Sequence, residues 1–446
     1  MALSVRYMGS KRALASEIAA RISAEHEGRA VLDVFAGMCA VGSELAPKHP
    51  MLTNDIHVFA QTVAKALFVE PVMAPTSLIA REELFPALRT NRDALRLLVG
   101  DQLNKERVAL ARVEEPSGWK FLFNFHQEVR DSHLPLKGQF SPVSEYRLNN
   151  QKFPYSLCTR YFANGYFAIE QAIEIDSLRY AIDLGPREHR SYYLTALIHA
   201  VSHCSASPGH FAQFLEPRDR GNTRYIARIR KRSVIDRFLE ALDASGSIDC
   251  YCREENEAFN QEATQLLTSM QGRSNRSPVI YADPPYSRAQ YSRYYHVLET
   301  LVLYDYPECD GKGRYRENRF LTDFSRRSGV VSAFSSFIKA CRDLDAPLYV
   351  SYPANGMLNR EGVSLRDLLC DAYPNVELIN KSPLRHSTMG GAPGVASVPV
   401  FEEVYYARPG RGRHSSRARS RPSTRGLKGS EVGVGESQSK KPSPNL

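Results

Sequence analysis

The chain has 446 residues, of which 43% are apolar and 24% are charged, a composition typical of globular domains. No apolar run approaches the roughly 18 residues that a membrane-spanning helix needs, and the first residues lack the apolar segment of a secretion signal. These features argue against a membrane protein and a secreted one, and they predict a cytoplasmic location. The length predicts two or three domains.

The formal net charge of +9 is concentrated at the end of the chain. The segment from Ala407 onward contains ten Lys or Arg residues and two Asp or Glu residues. The net charge of the other 406 residues is therefore about +1. This last segment is rich in Arg, Ser, Gly and Pro and has few large apolar side chains. We therefore predict a basic disordered tail over 407–446, which is either a phosphate-seeking arm or a solvated extension.

Strand-like and helical patterns alternate along the rest of the chain. The runs AVLDVFA (30–36) and MLTNDI (51–56) are typical of buried strands, and 57–68 has the apolar spacing of a helix. Residues 76–245 are mostly helical in pattern. Strand-like runs return at 247–252, 278–283, 347–352, 376–380 and 399–407, with helical stretches at 295–305 and 333–344.

This order predicts the fold class. Alternating strands and helices are typical of a doubly wound α/β sheet, and here a helical block stands between the second and third strands. We therefore predict one α/β domain made of 1–75 and 246–406, which carries 76–245 as an inserted domain. The eight cysteines are scattered without a CxxC pair, so we predict no metal site.

Polar or small residues follow the first two strands, where an open α/β sheet binds its ligand. Gly37, in DVFAGMCAVG, would let a ligand approach the backbone closely. Asp55 ends the second strand, where such folds place an acid that binds ribose hydroxyls, although it is equally suited to cap a helix. The opening segment VRYMGSKRAL, with Tyr7 and Lys11, is more simply a solvated turn when taken alone.

The segment YADPPY (281–286) is the most informative part of the chain. Its two prolines cannot lie inside a strand ladder, so the strand must end at Asp283. The carboxylate of Asp283 and the carbonyl of Pro284 then form a corner of hydrogen-bond acceptors, and Tyr286 adds a flat aromatic face. This corner suits an exocyclic amino group on a planar base; the alternative is a proline-stiffened loop with a surface Asp.

Together these segments resemble the D12-class (Dam-like) DNA adenine-N6 methyltransferases. DPPY is similar to the catalytic tetrapeptide of that family, and RYMGSK is similar to its N-terminal cofactor segment. VLDVFAGMCAVG resembles the FxGxG cofactor loop of the family, and TNDI resembles its second loop. DPPYSRAQYSRYYHVLETL and GHFAQF further resemble a restriction-modification-type subgroup. The resemblance covers about residues 5–406. Cys39 replaces the second glycine of FxGxG, and its Cβ would narrow the space for the methionine end of the cofactor.

The resemblance implies a Rossmann-like doubly wound methyltransferase sheet with an inserted, mainly helical target-recognition domain. It implies transfer of a methyl group from S-adenosyl-L-methionine to N6 of a flipped adenine in duplex DNA. The residues implied in catalysis are Asp283, Pro284, Pro285 and Tyr286. Those expected at the cofactor are Tyr7, Lys11, Phe35, Ala36, Gly37, Asp55 and Asp283, together with Asn256, which would follow the third strand.

The insert contains the basic segment RDRGNTRYIARIRKR (218–232), which holds a single acid. Given the implied enzyme class, we expect it to contact DNA phosphates and guanine edges, although a solvated helix face is the usual role of such a run. The candidate DNA-binding residues are Arg218, Arg220, Arg224, Arg228, Arg230, Lys231 and Arg232. We further expect a monomer in solution, no membrane partner, and a restriction endonuclease, if one exists, that acts separately.

Other functions are compatible with parts of the sequence. A cytosine-N4 methyltransferase uses a similar corner on a different amino group, usually with Ser in place of Asp. An RNA or protein-amide methyltransferase is a further alternative, which the long insert disfavours for small peptides. A catalytically silent DNA-binding protein on the same fold is the last, and the intact DPPY argues against it.

Overall fold

A computed structural model describes residues 11–70, 73–130, 145–146, 153–245, 251–272, 277–288, 290–385 and 399–410. Residues up to Gly410 belong to one compact unit. The second unit, 411–446, holds nearly all of the predicted tail and lies outside the described residues. No helix in the described part of the chain is long and apolar enough to cross a membrane.

The core of the fold is a seven-stranded, mostly parallel sheet. The strands in the described residues are β1 (Val31–Asp33), β2 (Met51–Asn54), β3 (Glu257–Phe259), β4 (Val279–Ala282), β5 (Cys309–Asp310), β6 (Tyr315–Arg316), β7 (Leu348–Pro353), β8 (Asn375–Arg385) and β9 (Pro399–Arg408). The sheet order is β3-β2-β1-β4-β7-β9-β8, with β9 antiparallel to both of its neighbours, while β5 and β6 form a separate hairpin. This confirms the predicted Rossmann-like, doubly wound α/β fold.

Helices cover both faces of this sheet and form the insert. They are α1 (Arg12–His26), α2 (Ala40–Leu45), α3 (Val58–Ala64), α4 (Ser77–Ala111), α5 (Trp119–Arg130), α6 (Leu157–Tyr161), α7 (Ile169–Leu184), α8 (Arg190–Cys204), α9 (Arg220–Arg230), α10 (Val234–Ser245), α11 (Ala263–Ser269), α12 (Tyr291–Tyr294), α13 (His296–Leu303), α14 (Val330–Asp343), α15 (Met357–Arg360) and α16 (Leu365–Ala372). A π-helical segment, Lys65–Val69, continues α3.

Strand β4 shows why the sheet needs helices on both sides. Val279 and Tyr281 point into one core, whereas Ile280 and Ala282 point into the other, and all four are buried. Parallel strands buried on both faces have apolar residues at successive positions rather than at every second one. The uninterrupted apolar runs in the sequence therefore identified the central strands correctly.

The insert shares its core with one face of the sheet. Helix α4 packs along α7, and α8 packs against both α3 and α10. Leu84, Leu88 and Leu95 of α4 are fully buried in the same apolar cluster as Leu14 of α1 and Phe59 of α3. The helical character predicted for the insert is present, and its boundaries as a separate domain stay a prediction.

The third strand is not where the sequence pattern placed it. A strand was expected at 247–252, but β3 is Glu257–Phe259, Tyr251 and Cys252 are not in a strand, and 246–250 lie outside the described residues. Strand β3 is a short edge strand that pairs only with β2 and is incompletely buried. Such a strand lacks the apolar run that marked the central ones.

Because β3 begins after Asn256, this residue lies at the amino ends of the strands, whereas its expected position is at their carboxyl ends. It precedes β3, is 4% exposed, and accepts a hydrogen bond from Met51 N at the start of β2 at 2.7 Å. Its side-chain amide donates to the carbonyls of Phe68 and Tyr251, both at 2.8 Å. Contrary to the expectation from sequence, Asn256 joins the amino ends of two strands and does not face the ligand edge.

We predict that Asn256→Ala lowers the free energy of unfolding by about 2–4 kcal/mol, because it removes three hydrogen bonds to the backbone, two of them buried. Chemical denaturation monitored by circular dichroism measures this loss. Asn355→Ala is the matched control, since that Asn is exposed in the turn after β7. Equal midpoints for the two variants would contradict the structural role of Asn256.

Candidate active site

The segment DPPY lies at the carboxyl end of β4, beside β1, where the sheet order reverses direction. Ligands of open α/β sheets bind at such a switch point. Strand β4 ends at Ala282, and the side chain of Asp283, which is 18% exposed, follows directly. Tyr286 is fixed by its carbonyl, which accepts a hydrogen bond from Met357 N at 2.9 Å.

Asp283 forms a buried ionic network with Lys11 and Glu402. Lys11 Nζ lies 2.9 Å from Asp283 Oδ1 and 2.7 Å from Glu402 Oε1. Glu402 also accepts a hydrogen bond from Ser351 Oγ at 2.6 Å. Burial by itself lowers the pKa of Lys11, but the two carboxylates outweigh burial and raise it, so the ammonium stays charged.

The pKa of Asp283 moves in the direction expected of a carboxyl removed from water. Burial raises it, the cation of Lys11 opposes the rise, and Glu402 adds to it, with a resulting pKa of about 7. An ordinary Asp has a pKa near 4. Asp283 therefore exchanges its proton close to neutral pH.

A third acid lies close to this network at the end of β1. Asp33 is 2% exposed. Burial raises its pKa well above the ordinary value, and the charges of Asp283 and Asp55 raise it further. The carboxyl ends of the central strands thus gather several acids in one region.

Glu402 is not among the site residues predicted from the sequence, although its strand carries a usable signal. Side chains alternate along a strand, so Glu402 shares a face with Val404 and Tyr406, both of which are buried. An acid in phase with buried apolar residues needs a buried partner, because an isolated buried charge is costly. That partner is Lys11, nearly 400 residues earlier in the chain.

The loop after β1 is held against the end of β2. Gly37 N donates to Asp55 Oδ2 at 2.9 Å, and the other oxygen of Asp55 accepts from His57 N at 2.9 Å. Ala36 N donates to the carbonyl of Asn54 at 2.9 Å. The structure therefore brings Ala36, Gly37 and Asp55 together, and Asp55 does more than cap a helix.

Cys39 has a left-handed backbone, with a φ of 57°, which a glycine adopts at less cost. Its side chain is fully buried in the core under the loop, where burial raises the pKa of the thiol. The thiol does not line the cleft described next. Any effect of Cys39 on a bound ligand therefore acts through the backbone of the loop.

A cleft with an empty volume of about 740 Å³, including its open mouth, lies across the carboxyl ends of β1, β2, β3 and β4. Phe35 and Phe324 give it apolar walls, with their rings packed edge to face at 5.4 Å. Asp55, Gln261 and Asp283 supply polar groups. The mixed apolar and polar lining is typical of a site for a small organic ligand.

The remaining site prediction in this region concerns Tyr7, which lies outside the described residues. Pro285 lines the cleft beside Asp283. Among the residues that the structure describes, none donates a hydrogen bond to the carbonyl of Pro284. Of the predicted catalytic and cofactor residues, four line this cleft, namely Phe35, Asp55, Asp283 and Pro285. Ala36, Gly37 and Lys11 contact residues of its lining.

The basic segment 218–232 divides into exposed and buried residues. Its exposed members are Arg218, Arg220, Arg228 and Lys231. Arg224 is partly buried and pairs with Glu114 at 3.3 Å, and Arg232 donates to the carbonyl of His203 at 2.6 Å. The exposed members can meet a phosphate without first giving up a protein partner.

Arg230 corrects the expectation that all seven basic residues face DNA. It is 2% exposed, lies 3.7 Å from Glu106 Oε1, and donates to the carbonyl of Asn164 at 3.0 Å. Helical periodicity explains this, because Thr223, Ile226 and Ala227 on the same face of α9 are also buried. Arg230 joins α9 to α4 and does not reach the surface.

Comparison with known proteins relates this geometry to a family. Residues 7–156 match the family described as D12 class N6 adenine-specific DNA methyltransferase. The chain is 26% identical over 392 residues to Type II methyltransferase M.FokI of Planomicrobium okeanokoites, covering 85% of this chain and 49% of that protein.

Two further relatives are similar over most of the chain. Modification methylase LlaI of Lactococcus lactis subsp. lactis is 24% identical, over 75% of this chain and 44% of its own length. Modification methylase StsI of Streptococcus sanguinis is 22% identical, over 84% of this chain and 48% of its own length. The chain thus spans about half the length of these relatives. Over residues 7–156 the chain is thus similar to the D12 class N6 adenine-specific DNA methyltransferases, and over most of its length it is similar to these modification enzymes.

Proposed function

We propose that the protein transfers a methyl group from S-adenosyl-L-methionine to N6 of a flipped adenine at specific sites in duplex DNA. The observation that carries this proposal is the acceptor corner of Asp283 and Pro284, which borders the cleft at the switch point of the sheet. The similarity to modification methylases supports a restriction-modification setting.

The acceptor corner explains how a weak nucleophile is activated. The lone pair of the adenine amino group is delocalised into the ring. Hydrogen bonds from that group to the carboxylate of Asp283 and the carbonyl of Pro284 localise the pair on nitrogen. The same acceptors stabilise the positive charge that develops on N6 as it takes up the methyl group.

The target base must leave the duplex to reach this corner, at a cost of a few kcal/mol. Tyr286 offers its ring as the stacking surface for the extruded base. Its position is fixed by the hydrogen bond from Met357 N to its carbonyl, and Lys11 Nζ lies 5.8 Å from the ring centroid. Stacking then holds the amino group in line with the acceptors.

The cleft fits the cofactor chemically. Phe35 and Phe324 supply apolar surface for an adenine ring, and Asp55 lies where a related fold binds ribose hydroxyls. Gly37 N and His57 already donate to the Asp55 carboxylate, which offers about four lone-pair positions and therefore keeps acceptor capacity. S-adenosyl-L-methionine, when bound, supplies an electrophilic methyl group.

Lys11 has a more specific role than lining the cofactor pocket. Its ammonium lies between Asp283 and Glu402, so it fixes the position of the Asp283 carboxylate. Since the cation also opposes the rise in the pKa of Asp283, it favours the ionised form that accepts hydrogen bonds. Lys11 is thus a positioning residue for the acceptor corner.

The exposed basic residues around α9 form a surface for DNA phosphates. Arg220 and Arg228 lie on this helix, and Lys231 follows it. These residues supply sequence-independent affinity, whereas base recognition requires contacts in the grooves. The proposal also includes a cytoplasmic location, a monomer in solution and a separately acting endonuclease.

Asp283→Ala should reduce the rate of methyl transfer at least about 100-fold, because the principal acceptor for N6 is lost. The measurement is single-turnover transfer from labelled S-adenosyl-L-methionine to genomic DNA from a methylation-free host. Binding of the cofactor, followed by calorimetry, should change little. Asp371→Ala, on the exposed surface of α16, is the control.

Digestion of the methylated DNA to nucleosides identifies the modified base. N6-methyladenine is the expected product. N4-methylcytosine would favour the cytosine enzyme instead, and near-normal transfer by Asp283→Ala would contradict the role of the acceptor corner.

The single-turnover rate should fall as the pH drops through about 7, because Asp283 then gains a proton and loses acceptor strength. An ordinary Asp would lose activity only near pH 4. Glu402→Gln removes a negative charge that raises the pKa of Asp283, so it should move the acidic limb of the profile to lower pH. A rate that stays constant down to pH 5, or a limb unchanged in Glu402→Gln, would argue against this assignment.

The two classes of arginine on α9 should respond differently to substitution. Arg228→Gln should weaken binding to duplex DNA and leave the thermal midpoint unchanged. Arg230→Gln should destabilise the fold by about 3–5 kcal/mol, because Glu106 would lose its buried partner. Fluorescence anisotropy and thermal unfolding measure the two effects, and a stable Arg230→Gln variant with weakened DNA binding would reverse the assignment.

A further inference from the structure

A cluster of arginines borders the acceptor corner, outside the basic segment of the insert. Arg288, Arg327 and Arg360 line a solvent-open cleft with an empty volume of about 750 Å³. The same cleft is lined by Ser287, Met357 and Glu361. This group of residues, which we call the arginine cleft, has no part in the cofactor site.

The arginine cleft adjoins the DPPY segment at two points and the neighbouring cleft at a third. Arg288 follows Tyr286 by two residues, so their backbones are at most about 7 Å apart. Met357, which lines the arginine cleft, donates its backbone N–H to the carbonyl of Tyr286 at 2.9 Å. Arg327 lies three residues after Phe324, which lines the cofactor cleft.

The charge of the arginine cleft is unbalanced. Arg327 Nε lies 2.5 Å from Glu361 Oε1, and this is the single acid among three cations. Arg288 and Arg360 are exposed and form no ion pair with any carboxylate among the described residues. Guanidinium groups bind phosphate oxygens through paired, charge-assisted hydrogen bonds, so the cleft is chemically suited to a phosphodiester.

We propose that the arginine cleft binds backbone phosphates of the target strand next to the flipped adenine. This inference rests on the proposed function and adds a second phosphate-binding surface, distinct from that of α9. The base stacks on Tyr286, while the sugar and phosphates of the same nucleotide stay at the protein surface beside the acceptor corner. The arginine cleft forms part of that surface. Arg288 and Arg360 hold the strand beside the acceptor corner.

Phosphate contacts position a strand without reading its sequence. The arginine cleft therefore contributes equally at methylation sites and elsewhere on DNA, and its contribution weakens as salt rises. In B-DNA each phosphate contact changes the slope of log affinity against log salt by about 0.9. Loss of two arginines that each bind one phosphate reduces the slope by about 1.8.

The first test compares Arg288→Gln/Arg360→Gln with the wild-type chain in binding to duplex DNA at several salt concentrations. The control is Lys339→Gln/Arg342→Gln, which removes the same charge from α14. Helix α14 precedes the amino end of β7, so these residues lie at the opposite edge of the sheet from Tyr286. We expect a slope smaller by about 1.8 in the first variant only; equal slopes in both variants overturn the proposal.

The second test locates the contact on the DNA. Sequencing of DNA methylated in a methylation-free host gives the target adenine, and duplexes are then made with neutral methylphosphonates beside it. The wild-type chain should bind the modified duplex more weakly than the unmodified one. Arg288→Gln/Arg360→Gln should bind the two duplexes with nearly the same affinity. An equal loss in both proteins shows that other residues bind those phosphates and overturns the proposal.

The two proposals fail in different ways. Absence of methyl transfer by the wild-type chain defeats the proposed function, whatever the arginine variants do. Normal transfer with an unchanged salt slope in Arg288→Gln/Arg360→Gln defeats only the phosphate site. A smaller slope with the cofactor affinity unchanged supports the arginine cleft as a DNA contact.

Discussion

The site depends on one buried cation held between two carboxylates. Lys11 comes from the start of the chain, Asp283 from the end of the central strand β4, and Glu402 from the last strand. The two carboxylates repel each other and both depend on the cation, so loss of Lys11 would leave two uncompensated charges inside the protein. This requirement holds three distant segments of the chain together at the carboxyl end of β4.

The sheet gives this network its location. Because β2 and β4 lie on opposite sides of β1, the order in which strands are added to the sheet reverses there. A crevice opens at this point, at the carboxyl ends of the central strands. The bond from Gly37 N to Asp55 closes the loop after β1 against β2 and so forms one wall of the cleft. The cleft and the acceptor corner then meet at Asp283, as the proposed methyl transfer requires.

Arginines in this protein have two physical roles that composition alone does not separate. Arg230 is buried against Glu106 and holds helices together, whereas Arg228, two residues earlier, is exposed. The same contrast makes the arginine cleft informative, because Arg288 and Arg360 remain exposed beside the catalytic segment without a carboxylate partner in the described residues. Burial and pairing, rather than the number of basic residues, decide which of them can bind a phosphate.

The sequence by itself determined the fold class, the central strands and the acceptor corner, because these depend on local properties. Apolar runs define strands buried on both faces, and two prolines must end a strand at Asp283 wherever it lies. Only the tertiary structure decided that Asn256 precedes an edge strand, that Glu402 holds Lys11, and that Arg230 is buried. Those outcomes depend on contacts between residues far apart in the chain, whose partners no local pattern specifies.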